Sequence, residues 1–256
     1  MIFPRYLASA VETLLLLILI AVVAALYASV GHGGASGYLA VLSLFAFAPQ
    51  QLSSTSLALN VLVSALSFYS FAQAKHFRFP LAWPLIVASV PLAFVGGLIQ
   101  VSDRAYFILL ALALLIAAYR MWWNAPTTVN GEMRKPSLGA SLATGGGIGL
   151  LSGIVGVGGG IFLSPLMILM RWADPKQTAA VSAFFILVNS LAGIAGRFAR
   201  GGFELSSTMP FVAAALVGGF AGSYVGAQKF SGFTLRRVLS IVLVLAAAKL
   251  VMMGMK

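Results

Sequence analysis

The sequence predicts an all-α polytopic membrane protein built from two homologous, inverted repeats. Three observations predict it: an apolar composition with little charge, apolar runs of about membrane-spanning length, and a glycine-rich interruption that occurs twice in corresponding places. Of 256 residues, 61% are hydrophobic and 8% charged, and the mean hydropathy is +1.02. A soluble domain carries roughly 25% charged residues. The formal net charge of +11 is spread over short loops, so membrane topology and anionic lipid account for it and a nucleic-acid partner is not expected. With no cysteine, disulfides, thiolate metal sites and cysteine nucleophiles are excluded. Two histidines and five acids leave little for a metal cage, and neither a metal nor a cofactor is expected.

In chain order, the N-terminal apolar run exceeds the ~7–15 residues of a signal peptide and leads straight into a glycine break, so it reads as a retained first helix. Helix A covers about 10–30 and the break 31–37. Segment B, Tyr38–Ala48, reaches only about 16 Å at 1.5 Å per residue, against a hydrocarbon core of about 30 Å. Helices C, D and E follow at about 52–73, 81–100 and 104–123. The hydrophilic joint Asn124–Pro136 divides the chain into a first repeat (1–123), a cytoplasmic connector (124–137) and a second repeat (138–256).

The second repeat keeps the order: A′ at about 138–155, a break at 156–160, short B′ at 161–172, then C′, D′ and E′ at about 176–197, 207–228 and 234–253. Each repeat thus holds a broken helix, a half-helix and three spanning helices, about eight to ten segments in all. Trp122, Trp123 and Trp172 fall at segment ends, as interfacial anchors do. Lysines and arginines divide 10 against 6 between the two sides whether the halves are parallel or inverted. Short glycine-interrupted segments at matching positions favour inversion.

The breaks read VGHGGA (Val30–Ala35) and VGVGGG (Val155–Gly160). In lipid, backbone freed from a helix must be buried in protein or line a cavity. Freed N–H groups at a helix N-terminus, with the dipole behind them, form an anion site. Gly31, Gly33 and Gly34 in the first break and Gly156, Gly158, Gly159 and Gly160 in the second are therefore candidate binding residues, because a Cβ would keep an anion away from the backbone. Helix C adds Ser53, Ser56, Asn60, Ser64 and Ser67 on one face, and C′ adds Thr178, Ser182, Ser190, Gly193 and Arg197, with Asn189 beside them. Of these, Ser56, Asn60, Ser182, Asn189 and Arg197 join the candidate set, together with Ser36 and Ser164 beside the breaks. His32, within the first break, is able to hydrogen-bond an anion or change protonation, its unperturbed pKa being about 6.5. In D′, the spacing of Gly218, Gly222 and Gly226 predicts close helix packing.

The run GIVGVGGGIFLSPLMIL, the hydroxyl-rich segment after it, and the weaker N-terminal copy resemble the sulfite exporter TauE/SafE family, over nearly the whole chain. The resemblance implies a bacterial inner-membrane permease, not an enzyme, for sulfite, organosulfonates or related sulfur-containing anions. The first copy departs from the motif: His32 lies between the glycines, Ala35 replaces the third, and Ala40 stands where Pro165 does.

Three function classes compete. The first is a secondary transporter exporting a small sulfur-containing anion, with lipid as its only other expected partner and homo-oligomerisation left open. A passive anion channel would share the same lining. Gly34-Ala35-Ser36-Gly37 also reads GASG, the nucleophile motif of rhomboid proteases. That reading lacks a base, since the only histidine after Ser36 is His76, in a basic loop.

Overall fold

The computed structural model describes residues 10–45, 47–123, 133–203 and 208–228, with isolated positions between 243 and 255. The connector at 124–132 and most of the expected helix E′ lie outside the described residues. Those described form helices α1 (Ala10–Ala28), α2 (Ala35–Leu44), α3 (Pro49–Gln73), α4 (Phe79–Leu98), α5 (Asp103–Trp123), α6 (Leu138–Val155), α7 (Gly160–Leu169), α8 (Pro175–Ala199) and α9 (Met209–Gln228). Six of them, α1, α3, α4, α6, α8 and α9, are long and apolar enough to cross a membrane. Outward-facing Val11, Leu14, Leu15 and Ile18 on α1 are exposed, as suits a surface solvated by lipid.

Local chemistry fixes the helix ends. Pro49 and Pro175 open α3 and α8, where a missing N–H costs nothing. Ser137 accepts from Ala140 N at 3.2 Å, and Asp174 accepts from Lys176 N and Gln177 N at 2.9 and 2.8 Å. Gly156 closes α6 in the left-handed conformation. The half-helices α2 and α7 have 10 residues each, and each starts directly after a left-handed glycine: Gly34 at φ 96° and Gly159 at φ 83°.

The packing is reciprocal: α1 lies on α9 and α6 on α4, while α3 and α8 form the centre. Glycine makes both outer seams close. A Cβ on Gly218, Gly222 or Gly226 would strike the carbonyl of Ala21, Ala25 or Ser29, as the four-residue spacing predicts. The same device holds α6 to α4, with Gly145, Gly149 and Gly153 against the carbonyls of Leu85, Ser89 and Ala93. These registers also give directions. Helices α1 and α9 run the same way, as do α4 and α6. Contacts of Leu57 near Gly193, Asn60 with Ser190 and Phe68 with Phe184 make α3 and α8 antiparallel. Thr55 with Thr208 and Ser70 with Ser223 make α3 and α9 parallel. At the end where α3 finishes and α8 begins lie Lys75, Arg78, Arg134, Lys135, Arg171 and Lys176; Arg104, Arg197 and Arg200 lie at the other.

Two sequence expectations are corrected. The first break ends at Gly34, not at residue 37, because Ala35–Gly37 already form the first turn of α2. Gly37 serves packing there: its Cα faces Val23 and Tyr27 of α1. Trp172 is 8% exposed and packs with Leu163 and Met167, so it fills the interior and does not anchor at the lipid interface.

Candidate functional site

The two half-helices bring their N-termini to one small void at the centre of the molecule. Its lining combines His32, Gly33, Gly34 and Ala35 from the first break with Val157, Gly160 and Ile161 from the second, plus Tyr27, Asn60 and Ile186. The void is too narrow to admit a water molecule. Asn60 spans it: Oδ1 accepts from Ala35 N at 3.2 Å, and Nδ2 donates to Ser190 Oγ at 2.9 Å. Among the described residues nothing accepts from the N–H groups of Gly33, Gly34, Gly158, Gly159 or Gly160, all buried. Buried amides without acceptors cost free energy until a ligand or water fills the role. The Tyr38 hydroxyl, in the first turn of α2 against Gly34, is likewise buried without a partner among the described residues.

Why glycine stands here is steric. Gly158 has φ 70°, and a Cβ on it would strike the Asn60 amide and crowd Ile186 and Ser190; on Gly33 it would meet the Asn60 side chain. Asn60 can therefore approach both breaks only because both lack side chains. Gly31, at φ 76°, lies against the Ala179 backbone and turns the chain back from α1.

The hydroxyls surround this centre. Ser56 Oγ donates to Ala35 O at 3.1 Å and Gly156 O at 3.2 Å, tying the two breaks together. On the other side Ser164 Oγ donates to Ser182 Oγ at 2.7 Å and sits 3.1 Å from His32 Nε2. The same nitrogen lies 3.1 Å from Gly160 O, and His32 Nδ1 lies 3.1 Å from Val30 O. His32 thus clasps the first break to the second half-helix.

Three of the candidate side chains lie elsewhere. Ser36 turns away to share a 2.7 Å hydrogen bond with the Tyr27 hydroxyl. Asn189 Nδ2 donates back to Phe185 O at 2.7 Å within its own helix. Arg197 lies at the far end of α8, where Nη2 donates to Gly153 O at 2.9 Å and Ile154 O at 2.8 Å. It lines a half-open cavity of about 90 Å³ together with Gln50, Ser53, Gln100, Tyr106 and Arg200. Partial burial lowers the pKa of the Arg200 guanidinium, the direction expected for a cation losing water. At the opposite end, the rings of Phe68, Phe77 and Phe184 pack with centroids 4.8–5.3 Å apart. Sequence reasoning missed Tyr38, whose spacing from the break was a usable signal, and Phe77, which becomes central only through packing.

The family model for the sulfite exporter TauE/SafE matches residues 16–250. The chain belongs to that family. Within it, the chain is 35% identical over 233 residues to the probable membrane transporter protein y4hK of Sinorhizobium fredii, covering 90% of this chain and 94% of that one. It is also 30% identical over 107 residues to the probable membrane transporter protein YunE of Bacillus subtilis, covering 42% of this chain and 39% of that one. No solved structure matches. This TauE/SafE chain is therefore an integral membrane protein of a transporter family.

Proposed function

We propose that the protein is a secondary carrier that exports a small sulfur-containing anion, sulfite or a short organosulfonate, across the bacterial inner membrane. The observation that carries this reading is the convergence of two half-helix N-termini, each capped by a left-handed glycine, on one void beside unpaired amides. Each N-terminus contributes roughly half a positive charge, so an anion would be held without a buried lysine or arginine. Asn60 and the hydroxyls of Ser56, Ser164, Ser182 and Tyr38 complete the site once it opens. The family's description supports the choice of sulfite.

Inverted halves are part of the proposal. Helix α8 packs along α4 (Leu85 near Phe185, Gly97 against Gly193) and meets the end of α6 (Arg197 on Gly153 O). Helices α4, α6 and α8 therefore run one way and α1, α3 and α9 the other. The equivalent pairs α1 and α6, α3 and α8, and α4 and α9 are thus opposed, which supports it. The cluster of Lys75, Arg78, Arg134, Lys135, Arg171 and Lys176 at one end supports a cytoplasmic face there. The aromatic packing of Phe68, Phe77 and Phe184 would then close the cytoplasmic side, while the Arg197 cavity would open to the outside. Export of an anion is driven by the potential itself, at about 2.3 kcal/mol per charge per 100 mV.

The test is radiolabelled sulfite flux in proteoliposomes under an imposed potential. The proposal expects saturable, counterflow-stimulated flux in the wild type and none in Gly158→Val. Absence of wild-type flux with every sulfur oxyanion, or unchanged flux in the variant, would overturn it.

A further inference from the structure

The cavity at the C-terminal ends of α4 and α8 lies apart from the central void. It has room for several water molecules, since about 90 Å³ compares with the roughly 10–15 Å³ one water requires. Its wall holds Arg197, 2% exposed, on a helix long and apolar enough to cross a membrane. Two helix-end carbonyls occupy Nη2, but Nε is buried and has no acceptor among the described residues. Among the described residues no carboxylate is bonded to it, and a guanidinium buried in an apolar helix bundle with a spare donor is costly unless an anion joins it. Arg200 donates to Ile99 O and adds a second positive charge to the same wall. Asp103, the one acid of the lining among the described residues, is exposed at the rim, where water and salt screen it.

From this we propose that the cavity is a second anion site, a staging site for a small oxyanion between the central void and the outside. Arg197 and Arg200 would provide the charge and Gln50, Ser53 and Gln100 neutral donors. The proposal rests on the reading of an anion carrier. A polar face of α3 runs from the inner edge of the site to the centre. Gly156 packs on Ser53, and Ser56, one turn further along α3, bonds to Gly156 O. Ser53 and Asn60 are seven residues apart, about 10 Å of helix. An anion leaving the paired N-termini would pass along this polar face to two arginines, and the guanidinium charge would draw it outward.

Because the chain contains no cysteine, a single thiol can report on this cavity. Gln100→Cys, at the exposed rim, would be modified in proteoliposomes by anionic and by cationic methanethiosulfonate reagents of similar size. Their rates would be divided by those for a free thiol in solution. The expected result is anionic modification at least five-fold faster, slowed by sulfate, with the preference falling to less than half in Arg200→Gln and in Arg197→Gln. Arg197→Lys should restore it. A preference near one, or a preference untouched by both glutamine variants, would overturn the proposal. If Arg197→Gln does not fold, Arg200→Gln decides alone. Gly158→Val should keep the preference while transport is lost, so failure of the staging site and failure of the central site give different results.

Discussion

In the first break, Gly31 and Gly34 adopt left-handed conformations and His32 stands between them; in the second, Gly156, Gly158 and Gly159 do so and Val157 occupies the histidine's place. The backbones end in the same structure, a half-helix N-terminus facing the central void, but their surroundings differ. The first break is lined by polar side chains, His32, Tyr38 and Asn60. The second is packed against Ile148, Phe185 and Ile186 as well as Asn60. The two copies thus share the half-helix geometry, while only the first carries a histidine.

That contrast predicts unequal penalties. The largest is expected for Gly158→Val, which strains a left-handed residue and drives its side chain into Asn60 and Ser190; sulfite flux should fall at least about 100-fold. Next is Asn60→Leu, which leaves Ala35 N and Ser190 Oγ without their shared partner. Losing a buried hydrogen-bond partner costs about 1–3 kcal/mol, so the transport KM should rise about ten-fold or more. Gly34→Ala should be milder than Gly158→Val, because its Cβ meets only the movable end of the Tyr38 ring. Left-handed strain of about 1–2 kcal/mol then sets a loss of about 5–30-fold. Equal losses at the two glycines would break the comparison. His32→Val makes the breaks alike, removing the contacts to Gly160 O and Ser164; a KM increase of about five-fold is expected from about 1 kcal/mol. Smallest is Ser56→Ala, whose two hydrogen bonds exceed 3 Å, with an expected change of about three-fold.

Much of the architecture was legible because lipid makes strict demands. A segment of 10 residues cannot span, and a glycine break cannot face lipid, so α2 and α7 could be located from sequence. The spacing of Gly218, Gly222 and Gly226 predicted a close helix seam without naming α1 as its partner, and the matching Gly145, Gly149 and Gly153 seam went unread in a segment rich in glycine throughout. The helical turn of Ala35–Gly37 was hidden because Gly37 carries no local signal separating close packing from chain reversal. Trp172 looked like an anchor because position at a segment end says nothing about which side the ring turns to. The candidate residues were chosen by helical phase, which brought Ser56 and Asn60 to the breaks but could not tell that Ser36 and Asn189 bond locally. Nor could phase alone separate Arg197, at one end of α8, from the centre.

The central claim is that peptide amides of both breaks grip the anion. It is tested most directly by following ¹⁵N-glycine amide resonances of the membrane-embedded protein through a sulfite titration, with chloride as control. The account predicts saturable shifts at Gly33, Gly34, Gly158, Gly159 and Gly160, with a midpoint near the transport KM, while the seam glycines Gly218, Gly222 and Gly226 stay still. Saturating sulfite that leaves the five break amides unmoved would contradict it.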